Sequence, residues 1–203
     1  MHPLRTALLS LSCLIAVPAI GEDLPSFGDS SSGIVSQREE RELGHAYLSI
    51  IRGQTAQIPD PLLKNYLEDT VYRLAESSQV QDPRFSFILL KSPQLNAFAA
   101  PGGIIGVNGG LFLYAQNEGE FASVLAHELA HLSQRHFARG LEARQQMQIP
   151  MMAAMLGGII AMAAGAGDAG VAAIASSQAA AMQAQQRFSR QNEQEADRIG
   201  MQT

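Results

Sequence analysis

The sequence has little cysteine, because Cys13 is the single cysteine among 203 residues. This residue lies in an N-terminal apolar run that we predict to be removed with a secretory signal peptide. The mature chain would then have no thiol, which excludes disulfides, thiolate metal ligands and a cysteine nucleophile. A metal site in the mature chain must therefore be built from histidine and carboxylate side chains.

The N-terminus has the pattern of a signal peptide. Arg5 precedes an apolar run at 7–20, and the small residues Ala19 and Gly21 stand just before Glu22. The run is shorter than the roughly 20 residues that a spanning helix needs, although a retained membrane anchor is the alternative. We predict that residues 1–21 form the signal peptide, and that residues 22–36, rich in Ser, Gly, Asp and Pro, form a flexible leader.

The chain also lacks the basic surface that nucleic acid binding requires. Its net charge is -5, and its Lys and Arg residues form no stripe with interleaved aromatic residues. A nucleic acid partner is therefore not expected. Apolar residues make up 46% of the chain, enough to fill one core, so we predict a single domain over residues 37–203.

Periodicity predicts helices on both sides of a small sheet. Helices are expected over 37–52 and over 60–78, the second with Asp60 as its cap and Pro61 at the first helical position. The stretches 84–90 and 95–112 are expected to form strands, the latter broken by a turn at 101–103.

Two further helical regions follow the predicted sheet. A helix is expected to begin after Asn117, with Glu120 completing its cap, and to end at Gly140. The tract 147–182 is rich in Ala, Gly and Met, and its longest uncharged run reaches spanning length but is only weakly apolar. We predict a helical hairpin or mobile lid there, with membrane contact as the alternative.

The helix after Asn117 contains the pattern "HELAH" at 127–131. Residues four apart on a helix differ by about 40° in azimuth, so His127 and His131 can bind one tetrahedral zinc ion. Glu128 lies about 100° from His127, where it can act as a base without occupying a coordination position. The alternative is that these are ordinary polar residues on a helix.

A catalytic zinc site needs a third protein ligand as well as an open position. Glu193 is the strongest candidate, because it lies 62 residues after His131 on another predicted helix. Asp197 follows one turn later and could accept a hydrogen bond from the free ring nitrogen of a ligand histidine. Taken alone, these two carboxylates could equally be a solvated helix face.

Two other histidines have no ligand spacing. His136 would lie about 140° beyond His131 on one continuous helix, so it is expected to face a neighbouring element or solvent rather than the metal. His45 is expected to be an ordinary surface or core residue.

Three motifs together resemble the zinc metalloproteases of the BepA and HtpX type, a family that also contains the CAAX prenyl endoproteases. These motifs are "LNAFAAPGGIIGVNGGL", "HELAHLSQRH" and "NEQEAD", and the resemblance covers residues 37–203. It implies an α+β fold, mostly helical and zincin-like of the gluzincin type, with a small sheet beside the motif helix. It also implies one Zn²⁺ per chain. The implied roles are zinc ligands at His127, His131 and Glu193, catalytic base at Glu128, and outer support at Asp197.

The resemblance implies a substrate site as well. The strand of Asn96, Ala97, Phe98 and Ala99 would be the edge on which a substrate peptide adds as a further strand. With the signal peptide, it indicates a periplasmic or membrane-associated zinc endopeptidase that cleaves misfolded or misassembled envelope proteins, in which Glu128 activates a zinc-bound water. Outer-membrane assembly machinery and peripheral membrane contact are the partners it suggests.

Two expectations complete the interpretation. The rival function is a chaperone-like binding module for outer-membrane proteins, with a closed or structural zinc site. Relatives of the periplasmic branch typically carry tetratricopeptide repeats after the protease domain. We therefore expect the domain at 37–203 to be truncated at its C-terminus, with a repeat module beyond Thr203.

Overall fold

Helices dominate the architecture. The computed structural model describes residues 35–203, so the predicted signal peptide and nearly all of the leader lie outside the described residues. The described elements, in chain order, are α1 (Gln37–Gln54), α2 (Pro61–Ser77), β1 (Ser86–Leu90), β2 (Ala97–Ala100), β3 (Ile104–Asn108), α3 (Gly109–Tyr114), α4 (Glu118–Ser133), α5 (His136–Ala163) and α6 (Gly167–Gly200). The mostly helical domain with a small sheet that the sequence predicts is confirmed.

Side-chain caps fix the starts of the first two helices. Ser36 and Glu39 form a reciprocal capping box at α1, which the sequence pattern did not single out. At α2 the Asp60 carboxylate accepts hydrogen bonds from two backbone N–H groups, and Pro61 occupies the first turn as predicted.

The three strands form one sheet in the order β1-β3-β2. The central strand β3 pairs in parallel with β1 and antiparallel with β2, which leaves β2 at an edge. The predicted turn between β2 and β3 is confirmed, and Gly102 and Gly103 supply its positive φ angles of 76° and 81°. The strand predicted to continue to Phe112 is wrong, because β3 ends at Asn108 and α3 begins at once.

Apolar residues pack against both faces of the sheet. On one face α1 contributes to a cluster comprising Leu48, Ile88, Ala100 and Ile104. On the other face α2, α3 and α4 enclose the larger core, which contains Leu67, Val71, Leu89, Ala97, Ile105, Val107, Leu111, Phe121, Leu125 and Leu129. Because α4 packs on the sheet through its buried residues, its remaining face is available to the C-terminal helix.

The motif helix ends earlier than the sequence indicates. We predicted one helix to Gly140, but α4 stops at Ser133 and α5 begins at His136. Arg135 lies between them with φ 50°, the one positive φ of a non-glycine residue in the part of the chain that the structure describes. Its guanidinium donates to the Val35 carbonyl at 2.8 Å and to Glu40 Oε2 at 3.2 Å, so contacts with α1 hold this corner.

Helices α5 and α6 form the predicted helical hairpin. The two helices approach so closely at Gly158 and Gly170 that a Cβ at either position would overlap the other helix. Much of the hairpin's apolar surface is exposed, including Ile149, Met152, Leu156, Ile160, Val171 and Met182. Among described residues, α5 alone is long and apolar enough to cross a membrane, with mean hydropathy 1.4 and 6% of that window buried. A lid role for this hairpin stays a prediction.

Candidate metal centre

Helix α4 holds the motif histidines on the side that faces α6. Asn117 caps the helix by accepting a hydrogen bond from the Glu120 backbone at 3.0 Å, as predicted. Leu125 and Leu129 are fully buried in the main core. His127 and His131 are half-buried next to these leucines, with side-chain exposures of 26% and 21%.

Helix α6 packs directly against this part of α4. Ala130 of α4 forms a small buried cluster with Ala196 and Ile199 of α6. At the end of α6, a Cβ on Gly200 would lie 3.0 Å from the His127 backbone nitrogen, tighter than nearly all real contacts. A glycine at this position therefore lets the last turn of α6 approach the first histidine.

This packing brings the three predicted ligands together. His127 Nε2 lies 3.0 Å from His131 Nε2 and 3.4 Å from Glu193 Oε2, and His131 Nε2 lies 3.7 Å from Glu193 Oε2. Tetrahedral zinc with bonds of about 2.0–2.2 Å separates its donor atoms by about 3.3 Å. Two imidazole nitrogens and one carboxylate oxygen at these distances fit a metal ion. Within residues 35–203 they form the one such group.

Asp197 lies against the other ring nitrogen of His127. Asp197 Oδ1 lies 2.9 Å from His127 Nδ1, and a proton on Nδ1 completes this hydrogen bond. That assignment leaves His127 Nε2 unprotonated and directed towards Glu193. Carboxylates in this position fix both the tautomer and the ring orientation of metal-binding histidines.

Glu128 is half-buried on the side of α4 that faces the sheet. Its Oε2 atom accepts a hydrogen bond from the Ala99 backbone N–H at 2.8 Å, and Ala99 belongs to the edge strand β2. Burial raises the pKa of Glu128 to about 7, against smaller lowering effects of His127 and of the Ala99 hydrogen bond. A carboxyl group with a pKa near neutrality suits proton transfer in either direction.

His136 faces a neighbouring element as expected, but it also contacts His131, which the sequence did not predict. It is only 6% exposed, and its Nδ1 lies 2.9 Å from His131 Nδ1. The geometry of a continuous helix was wrong because the corner at Arg135 turns the next helix back. His136 Nε2 does face a neighbouring element, since it lies 3.3 Å from Glu195 Oε2 on α6.

Sequence reasoning missed Glu195 and Arg139, which join this group. Arg139 Nη1 donates to Glu195 Oε2 at 2.9 Å. Neither residue has ligand spacing to the motif, so no local pattern identifies them. Burial lowers the pKa of both His131 and His136, which favours the neutral imidazole that metal binding requires.

The remaining predicted site residues lie on the edge strand beside α4. Ala97, Phe98 and Ala99 belong to β2, and Asn96 immediately precedes it. The Asn96 carbonyl accepts a hydrogen bond from Asn108 of β3 at 3.0 Å. His45 is exposed on α1 and is not one of the three grouped donors.

Comparison with known proteins agrees with this geometry. Residues 61–203 match the model of peptidase family M48. The chain is 36% identical over 202 residues to the beta-barrel assembly-enhancing protease of Escherichia coli (strain K12), which covers 95% of this chain and 41% of the relative. It is 40% identical over 180 residues to the protein of that name from Yersinia pestis, covering 88% of this chain and 37% of the relative.

A more distant similarity extends beyond that group. The mitochondrial metalloendopeptidase OMA1 of Schizosaccharomyces pombe is 31% identical over 106 residues, covering 49% of this chain and 30% of the relative. The chain spans about two fifths of the length of the beta-barrel assembly-enhancing proteases it matches. Because the family model matches most of the chain, at residues 61–203, the chain belongs to peptidase family M48.

Proposed function

We propose that this chain is a zinc-dependent endopeptidase that hydrolyses peptide bonds of exported proteins. The observation that carries the proposal is the arrangement of His127, His131 and Glu193 within ligand distance, with the half-buried Glu128 beside them. In this proposal the domain has a zincin-like, gluzincin-type site and holds one zinc ion per chain through these three donors. Asp197 orients His127 from outside.

The chain's own residues would divide the chemistry between binding and proton transfer. Bound zinc would supply Lewis acidity, which lowers the pKa of water and stabilises negative charge on the substrate carbonyl oxygen. The Glu128 carboxylate would accept the proton from the attacking water and later donate it to the leaving amine. The hydrogen bond from the Ala99 N–H would hold this carboxylate beside β2.

The edge strand would orient the substrate. The Asn96 carbonyl points at β3. Because backbone groups of successive residues in a strand point alternately to the two sides, the N–H and C=O groups of Ala97 and Ala99 point towards the free edge. An extended peptide could add to the edge formed by Asn96 to Ala99, with Ala97 and the Ala99 carbonyl supplying the backbone hydrogen bonds. Since Ala99 N–H contacts Glu128, such a peptide would lie directly beside the proposed base.

The proposed substrates are misfolded or misassembled proteins of the bacterial envelope. The names of the relatives, beta-barrel assembly-enhancing proteases, support a role linked to outer-membrane assembly. The signal-like N-terminus supports a periplasmic location, and the exposed apolar hairpin is compatible with peripheral contact with a membrane. Outer-membrane assembly machinery is the proposed partner.

A casein cleavage assay tests the enzymatic proposal. The parent chain should cleave casein, lose activity with a chelator and regain it with added zinc. Glu128→Gln should retain the fold and the metal but lose about a hundredfold or more in rate, because an amide cannot accept the proton. A variant that cleaves as fast as the parent would exclude Glu128 as base. Client binding without cleavage by the zinc-loaded parent would favour the chaperone-like alternative.

A further inference from the structure

We propose that His136, Glu195 and Arg139 form a hydrogen-bonded relay that positions His131 for metal binding. The inference rests on the proposed metal-dependent function and adds a positioning role for three residues outside the ligand set. His136 does not take part in the ligand group itself. It acts through His131, whose ring it contacts on the side away from Glu193.

The relay follows from a continuous series of contacts. His131 presents Nε2 to the ligand group and Nδ1 to His136 Nδ1, 2.9 Å away. The other ring nitrogen of His136 lies 3.3 Å from Glu195 Oε2. Arg139 then holds the same carboxylate oxygen at 2.9 Å.

The protons can be assigned along this series without conflict. Metal binding through His131 Nε2 requires the proton on Nδ1, which must then be donated. The acceptor is the unprotonated Nδ1 of His136. His136 therefore carries its own proton on Nε2 and donates it to Glu195, whose negative charge is compensated by Arg139. Each nitrogen has one role, so the relay selects the tautomer of His131 that can bind metal.

The backbone is shaped to make this contact. On an uninterrupted helix, His136 would point about 140° away from His131. The left-handed conformation at Arg135 brings it back, and side chains rarely adopt this conformation without compensation. Arg135 is held there by the Val35 carbonyl and by Glu40, and the side chains of Arg135 and Glu40 are only 16% and 12% exposed. Contacts between α1 and the corner thus fix the relay.

The two ligand histidines are consequently supported in different ways. His127 contacts the carboxylate of Asp197, whose side chain is 68% exposed. His131 contacts His136, which is 6% exposed and lies between α4 and α6. The relay connects α5 and α6 to the ligand on α4, so it also joins the three helices around the metal.

Zinc affinity, measured by competition with a chromophoric chelator, tests the relay independently of proteolysis. His136→Leu fills the space without an acceptor and should weaken zinc binding about 10- to 100-fold. His136→Asn places an amide oxygen near the former Nδ1 and should restore most of the affinity. Glu195→Gln removes the charge from a half-buried position with little change in shape, and should give a smaller loss.

Ile88→Val serves as the matched control, because it loosens the buried cluster between α1 and the sheet without touching the relay or the α4–α6 contact. It should leave zinc affinity close to that of the parent, and the visible spectrum of bound Co²⁺ should change only in the relay variants. The proposal is overturned if His136→Leu binds zinc like the parent, if His136→Asn restores no affinity, or if Ile88→Val loses as much affinity as His136→Leu. A parent that binds zinc but cleaves no protein would refute the proposed function alone.

Discussion

Glu128 is subject to opposing effects at the scale of a single residue. Burial disfavours its charged form, whereas the Ala99 N–H and the nearby His127 favour it. The effect of burial is the largest, so the pKa of this carboxyl group in the metal-free chain is about 7. Ionising Glu128 in the folded chain therefore lowers the free energy of unfolding at neutral pH. This loss of stability follows from the partly buried position of Glu128 beside the three donors.

That cost gives a pH-dependent prediction for the metal-free chain. The pKa of Glu128 rises from 4.5 to about 7 on folding, so between these values the folded state binds more protons than the unfolded state. Stability contributed by Glu128 should therefore be greatest below pH 4.5 and fall as pH rises to 7. Relative to the parent, Glu128→Gln should gain up to about 3 kcal/mol in the free energy of unfolding across this window.

Denaturant unfolding with a chelator present, at several pH values between 4 and 8, measures this gain. Glu76→Gln, which changes an exposed glutamate on α2, is the matched control for altered net charge. If the difference between Glu128→Gln and the parent stays constant over the whole range, the carboxyl group is not buried as described.

At the scale of elements, the separation of α4 and α6 determines whether the three donors meet. Ala130, Ala196 and Ile199 set this separation, and Gly200 permits the close approach at the end of α6. Both partners at that approach are helix backbone, which cannot move aside as a flexible side chain can. The element that supplies Glu193 and Asp197 is therefore positioned by small residues rather than by large apolar ones.

Gly200→Ala should push α6 away from His127. Its new Cβ would lie 3.0 Å from the His127 nitrogen, so the helices must separate by some tenths of an ångström. We expect a loss of about 1–3 kcal/mol in stability together with weaker zinc binding, measured by thermal unfolding and chelator competition. Gly157→Ala in α5 is the control, because a Cβ there meets nothing within 4 Å. Equal effects of the two substitutions would contradict this description of the contact.

The elements show how far the sequence could predict the fold. Local signals were sufficient for α2, for the turn at Gly102 and for the start of α4, since Asp60 and Asn117 act through neighbouring backbone groups. The end of α4 could not be predicted. The conformation of Arg135 depends on Val35 and Glu40, about a hundred residues earlier in the chain.

The same distinction applies to the candidate site. The spacing of the HExxH motif and of the two α6 carboxylates was enough to predict the group around His127, because helical geometry alone fixes relative positions within each helix. Glu195 and Arg139 became apparent only from the packing of α5 on α6. The contact of His136 with His131 likewise required the corner, so the relay is a property of tertiary structure.

At the scale of the whole molecule, the proposed ligand group brings together two segments separated by the hairpin. His131 and Glu193 lie 62 residues apart in the chain, and most of the residues between them belong to α5 and α6. The hairpin keeps its polar end at the ligand group and exposes an apolar surface farther along. A metal ion bound at its base would link α4 to α6 and stabilise the whole arrangement.

The central claim is that one zinc ion is held jointly by α4 and α6, and elemental analysis of the purified chain tests it most directly. We expect one zinc per chain in the parent and in Glu128→Gln, since Glu128 lies outside the proposed ligand set. His131→Ala and Glu193→Ala should each retain far less zinc, because either change removes one of three donors. Stoichiometric zinc retained in both of these variants would contradict the account.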